Sequence, residues 1–111
     1  MSLATSRQFL DYVLEQLSGL ADVRVRPMMG EYLLYYRDRY AAGLCDNRML
    51  VKPVPSARAL LPDAALEPPY EGAQPMLVVD CLEDREMLEQ LFTAIWDELP
   101  PPKPGKGRKR T

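Results

Sequence analysis

Between Val23 and Lys52 the apolar residues stop recurring at helical spacing and begin to alternate, and short polar turns break the run into four pieces. A chain punctuated this often has no room for crossover connections of a dozen residues. Its strands must therefore pair with their neighbours in sequence, antiparallel. Val23-Arg24-Val25-Arg26 alternates, and Pro27 is expected to end that strand because it cannot donate to a ladder. Met28-Met29-Gly30-Glu31 opens the next segment, Tyr32-Leu33-Leu34-Tyr35-Tyr36, and Arg37-Asp38-Arg39 turns it back into Tyr40-Ala41-Ala42-Gly43-Leu44-Cys45. Asp46-Asn47-Arg48 turns again into Met49-Leu50-Val51-Lys52, after which Pro53 and Pro55 close the run. The expectation is a four-stranded meander.

Helices flank it. Thr5 and Gln8 have the spacing of a capping box, and Phe9, Leu10, Val13, Leu14 and Leu17 follow on one helical face until Gly19, predicting a helix over about residues 6–18. Ser56 is read as the cap of a short helix that Pro62 ends. Residues 62–75 form a proline-rich loop, and residues 76–80 a fifth, strongly apolar strand. A last helix is expected over residues 83–99, with acids in its first turn and Met87, Leu88, Leu91, Phe92, Ile95 and Leu99 on one stripe. The whole reads as an α+β, two-layer domain with a five-stranded, mainly antiparallel sheet in the order α-β-β-β-β-α-β-α.

At 111 residues the chain is long enough for one core, formed within residues 1–99, and 47% of it is apolar. No apolar run is long enough to span a bilayer, and residues 1–8 lack the basic and apolar regions of an export signal, so a cytoplasmic location is expected with no membrane partner. Residues 100–111 have no apolar side chain but proline and are read as a disordered basic tail. Charge divides unevenly: the tail holds five of the 14 basic residues and none of the 16 acidic ones, leaving the part through Leu99 at a formal −7.

The chain has no histidine, which removes the commonest general acid/base and the commonest metal ligand together. Cys45 and Cys81 show no C-x-x-C spacing and read as small buried hydrophobes on strands. Glu31 with Asp38, or Asp46 with Asp80, could act as acid and base only if the fold joined them. Gly105-Lys106-Gly107 follows no strand and opens no helix, so it is not a phosphate loop. No catalytic residue, metal or cofactor is expected, and a non-enzymatic protein is.

The binding features are clearer. Lys103, Lys106, Arg108, Lys109 and Arg110 could follow phosphates and supply weak, non-specific nucleic-acid contact. Met28, Met29, Gly30, Glu31 and Tyr32 combine adaptable side chains with a glycine and suit a partner surface. Tyr32, Tyr35, Tyr36 and Tyr40 are read chiefly as cross-strand packing, although sheet aromatics can also stack bases.

Several of these segments together resemble the TfoX/Sxy family of competence regulators, in its N-terminal domain. The matching pieces are Arg26-Pro27-Met28-Met29-Gly30-Glu31-Tyr32, the hairpin through Tyr36 and Tyr40, the run Leu44 to Lys52, and Pro69-Tyr70-Glu71-Gly72-Ala73. The resemblance covers about residues 5–99. It implies a curved antiparallel sheet flanked by helices, no cofactor, no catalytic residues, and a partner in the transcription machinery, since full-length members act as coactivators with the cyclic-AMP receptor protein. Where many relatives read Met-Phe-Gly-Gly, this chain has Met28-Met29-Gly30-Glu31, and a basic tail stands where the regulators carry a second domain.

The first reading is thus a regulatory or adaptor module that binds a protein partner. A small-molecule-binding protein or enzyme using the 62–75 loop is the second. A chaperone-like homodimer presenting Met28, Met29 and Leu33 is the third.

Overall fold

Three two-residue turns set the architecture. In the computed structural model, which describes residues 5–69 and 71–101, Met29-Gly30, Arg37-Asp38 and Asp46-Asn47 all take positive φ at both positions. That conformation is the type I′ turn, whose twist matches the twist of the strands it joins. The result is the meander β1 (Val23–Met28), β2 (Glu31–Tyr36), β3 (Arg39–Cys45) and β4 (Arg48–Val51). Helix α1 (Arg7–Gln16) precedes it, and α2 (Pro55–Leu60), β5 (Leu66–Glu67), β6 (Met76–Val79) and α3 (Arg85–Ile95) follow, with a 3-10 turn at Trp96–Glu98. The protein is α+β, and every strand pairing is antiparallel, in the order β1-β2-β3-β4-β6-β5.

The sheet has six strands, not the five expected. The loop over residues 62–75 supplies the extra one, with Leu66 opposite Leu77 and Glu67 opposite Met76. Two residues carry no readable periodicity, but their backbone satisfies the otherwise open edge of β6. Strand β1 also runs through Pro27, which pairs in register with Tyr32. It is tolerated because β1 is an edge strand, where a missing donor need not break a ladder.

The helix ends differ from expectation for identifiable reasons. Ser6, not Thr5, caps α1, its hydroxyl accepting from the Phe9 amide at 3.0 Å. Thr5 is engaged elsewhere: its amide donates to Gly30 O and its hydroxyl accepts from the Asn47 amide, while Asn47 Oδ1 accepts from the Ser6 amide. These bonds tie the start of α1 to two hairpin tips. Likewise Val54 precedes α2 and Pro55 occupies its first turn, while Ser56 donates from both amide and hydroxyl to Glu98 rather than capping. Asp84 caps α3 by accepting from the Met87 amide, which moves that helix start past residue 83.

Leu10 and Val13 of α1, and Leu88, Leu91, Phe92 and Ile95 of α3, are buried in one cluster with Leu34, Ala42, Leu44, Met49, Val51, Leu77 and Val79. The strand residues all belong to one face by register. The helices therefore cover that face, and Phe92 meets the Tyr36 ring edge-on with centroids 6.2 Å apart. At the far end of α3, which has no basic residue in its last turn, Arg39 of β3 reaches over. Its guanidinium donates to the carbonyls of Trp96 and Leu99 and lies 4.0 Å from the Trp96 ring, which Arg37 approaches at 5.0 Å.

Candidate functional site

The opposite face of the sheet is not covered by the helices. A β-bulge decides what it carries. Leu34 pairs with Ala42, but the next pair is Tyr35 with Tyr40, so Ala41 is an extra residue in β3. Without that insertion Tyr35 would face Ala41 and Tyr40 would point with Tyr36 into the helices. With it, Tyr35 and Tyr40 lie side by side on the uncovered face, ring centroids 5.8 Å apart.

Register extends this pair into a row. Arg24 pairs with Tyr35 on one side, and Lys52, following the Val51–Ala42 pair, places its Nζ 5.4 Å from the Tyr40 ring centroid on the other. The sequence of side chains across four strands is cation, tyrosine, tyrosine, cation, over about 14 Å at the usual strand spacing. The next row across the same face holds Arg26, Leu33 and Gly43. A Cβ on Gly43 would sit 3.1 Å from the Tyr40 hydroxyl, so the Tyr40 ring lies along β3 rather than standing off the sheet.

These residues line an open groove of about 1040 Å³, whose walls include Arg24, Arg26, Lys52, Asp38, Pro100 and Pro101. Asp38 is 3.9 Å from Arg24, both side chains mostly exposed, so the pair is worth little in water and leaves the groove net positive. Three of the nine basic residues through Leu99 line it, against one of the 16 acidic residues.

The other half of the face is closed. Cys45, Leu50 and Met76 form a small buried cluster, and Arg48 beside it pairs with Glu67 of β5 and approaches Cys45 Sγ at 3.8 Å. Burial pushes the Cys45 thiol up, the nearby Glu31 charge adds to this, and Arg48 opposes it. Burial likewise raises the Glu31 carboxyl. Such a thiol is held protonated and inert. Cys81, expected on a strand, lies beyond β6 and is half-buried; both cysteines are free.

The residues expected to form a partner surface separate. Met28 is 47% exposed at the end of β1 and Met29 is 95% exposed at the hairpin tip. Gly30 shares that tip, Glu31 begins β2 partly buried, and Tyr32 turns toward the helices and packs on the core. Tyr35 and Tyr40 pack against each other across strands, as expected of the tyrosines, and line the groove, while Tyr32 and Tyr36 pack on the core. Glu31 and Asp38 stand at opposite ends of β2 and are not brought together. Among the described residues of the 62–75 loop, Pro62, Asp63 and Ala64 line a shallow depression of about 290 Å³ near Cys81 and Met87. Lys103, Lys106, Arg108, Lys109 and Arg110 lie outside the described residues. Among the described residues no group of three or more Cys, Asp or Glu could hold a metal ion, and no helix is long and apolar enough to cross a membrane.

The groove's cations were visible in the sequence only as the alternation Arg24, Arg26 in β1. Lys52 joins them through the sheet order, following core-facing Val51, and Tyr40 through the bulge, which no spacing announces. No family model and no solved structure matches the chain. Over 110 residues it is 34% identical to an uncharacterized 12.7 kDa protein in the trpE 5′ region of Spirochaeta aurantia, covering 98% of this chain and 96% of the relative. Likeness at that level along the whole length of both proteins places the chain in the same family as this Spirochaeta aurantia protein.

Proposed function

We propose that the protein is a non-enzymatic regulatory or adaptor module that holds a polyanionic partner on the uncovered face of its sheet. One observation carries this reading: an acidic body, formally −7 through Leu99, gathers Arg24, Arg26 and Lys52 into one groove with a single carboxylate beside them. Self-repulsion would scatter cations for solubility, whereas a shared concave site concentrates potential and raises the local concentration of anions. The groove offers no converging acid and base, its Asp38 being exposed and set against Arg24, which supports binding over catalysis. The reading fits the transcription-coactivator role that the resemblance to TfoX/Sxy proteins implies.

Elution from immobilised heparin tests it. The full chain with Arg24→Gln and Arg26→Gln should elute at clearly lower salt than the unaltered protein, and by a further step when the five tail cations are also replaced by Gln. Elution unchanged by the groove substitutions would refute the proposal, because the tail would then account for all the attraction.

A second reading has its own support. Met28 and Met29 are exposed at the end of an edge strand, where unpaired backbone can accept another chain. Edge-to-edge pairing of two copies would give a homodimer, chaperone-like in presenting its methionines. Sedimentation velocity at high concentration should then show a dimer that Met29→Lys dissociates; a monomer throughout removes this reading.

A further inference from the structure

Resting on the groove reading above, we infer that the polyanion held there is single-stranded nucleic acid, with bases stacked on Tyr35 and Tyr40 and phosphates on Arg24, Arg26 and Lys52. Cations alone would serve any polyanion. What narrows the choice is the position of two adjacent aromatic rings between them.

The rings neighbour each other in the groove, with centroids 5.8 Å apart and planes tilted by 48°, and Tyr40 runs along the strand because Gly43 leaves space for its hydroxyl. Each ring offers its own π surface to a separate unstacked base, and each such contact is tolerant of sequence because every base has a face. A duplex keeps its bases stacked inside and cannot reach them. An acidic peptide would use the cations but has no planar group for the tyrosines. A free mononucleotide would fill only one ring's share of a row that spans three strand spacings.

Pro100 and Pro101 form part of the groove wall.

The test is fluorescence anisotropy with the full chain, using a labelled oligothymidylate, a duplex of equal length and a polyglutamate peptide. The oligothymidylate should bind more tightly than either alternative. Tyr35→Leu and Tyr40→Leu should each weaken it about tenfold, within the range for loss of one base stack. Replacing Arg24, Arg26 and Lys52 by Gln should flatten the salt dependence by about 2 in log–log slope, at roughly 0.7 per phosphate on a single strand.

Photo-crosslinking of a bromouracil-substituted oligonucleotide to the unaltered protein gives a readout independent of folding in the variants. Adducts at Tyr35 or Tyr40 are expected, and adducts confined to the tail or to Tyr12 overturn the inference. Equal binding of duplex, or tyrosine variants that bind like the unaltered protein, would also overturn it while leaving polyanion binding intact. Preferential binding of polyglutamate through the same cations would make the occupant an acidic peptide. Failure of the arginine substitutions to affect any probe removes the groove reading as well.

Discussion

Met29 carries backbone strain at an exposed hairpin tip. Its φ of +51° puts a side chain with a Cβ in the left-handed region, at the first position of a type I′ turn. Its side chain is 95% exposed, so no packing offsets this. Met29→Asn should raise stability by about 1 kcal/mol, or about 5 °C in Tm for a domain of this size. Thermal unfolding followed by circular dichroism checks it, and a loss of Tm would show that the methionine contributes to the fold. Such strain at an exposed tip is common where a residue contacts a partner. Asp46-Asn47 and Arg37-Asp38 were legible as turns because Asn and Asp tolerate positive φ. Met29 was not, since only Gly30 announced that turn.

Two glutamates give stability opposite dependences on pH. Hydrogen bonds from the Ser56 hydroxyl and amide hold the Glu98 carboxyl below its ordinary value of 4.5. Its contribution is therefore present above about pH 4.5 and is lost as pH falls through the lower folded value. Burial raises Glu31 instead, so its favourable contribution is present below pH 4.5 and is lost as pH rises through the folded value. In denaturant titrations the advantage of the unaltered protein over Glu98→Gln should shrink as pH drops below 4.5, while Glu31→Gln should stabilise above it. A pH-independent difference for Glu98→Gln would contradict the Ser56 bonds.

At the level of elements, α3 ends on a group supplied from 57 to 60 residues away. Arg39 bonds the carbonyls of Trp96 and Leu99 and stacks on the indole, placing a cation at the negative end of a helix that has none of its own there. Arg39→Ala should cost about 2 kcal/mol, the range for hydrogen bonds to a charged group. It should also shift Trp96 emission, an unambiguous signal because the chain has one tryptophan. Unchanged emission would mean that the guanidinium does not rest on the ring.

The same strand shows where reading by periodicity stops. The existence and order of β1 to β4 follow from alternation and turn residues, and α1 and α3 from their apolar stripes. The bulge at Ala41 does not follow, because Tyr40-Ala41-Ala42 reads equally well in either register. Yet the bulge sends Arg39 to the helices and Tyr40 to the groove. Strand β5 escaped for a different reason: two residues are too few to form a pattern, and only the open edge of β6 calls for them.

For the whole molecule, helices close one face and the Cys45–Leu50–Met76 cluster closes half of the other, leaving one concave, cationic, tyrosine-lined quadrant. The uneven charge was legible in the sequence, but it pointed to the tail alone. Arg24 and Arg26 looked like solvated alternation, and only the sheet order sets them beside Lys52. The separation of a buried helical layer from this quadrant also means that groove substitutions should leave stability within about 0.5 kcal/mol, as surface changes usually do. The central claim is that this quadrant, rather than the tail or the helical face, is where the partner sits. Amide chemical-shift perturbation of the full chain titrated with a short oligothymidylate tests it most directly. Shifts clustered at Arg24, Arg26, Leu33, Tyr35, Tyr40 and Lys52 are the predicted result, and shifts confined to residues 102–111 or to the helices would contradict it.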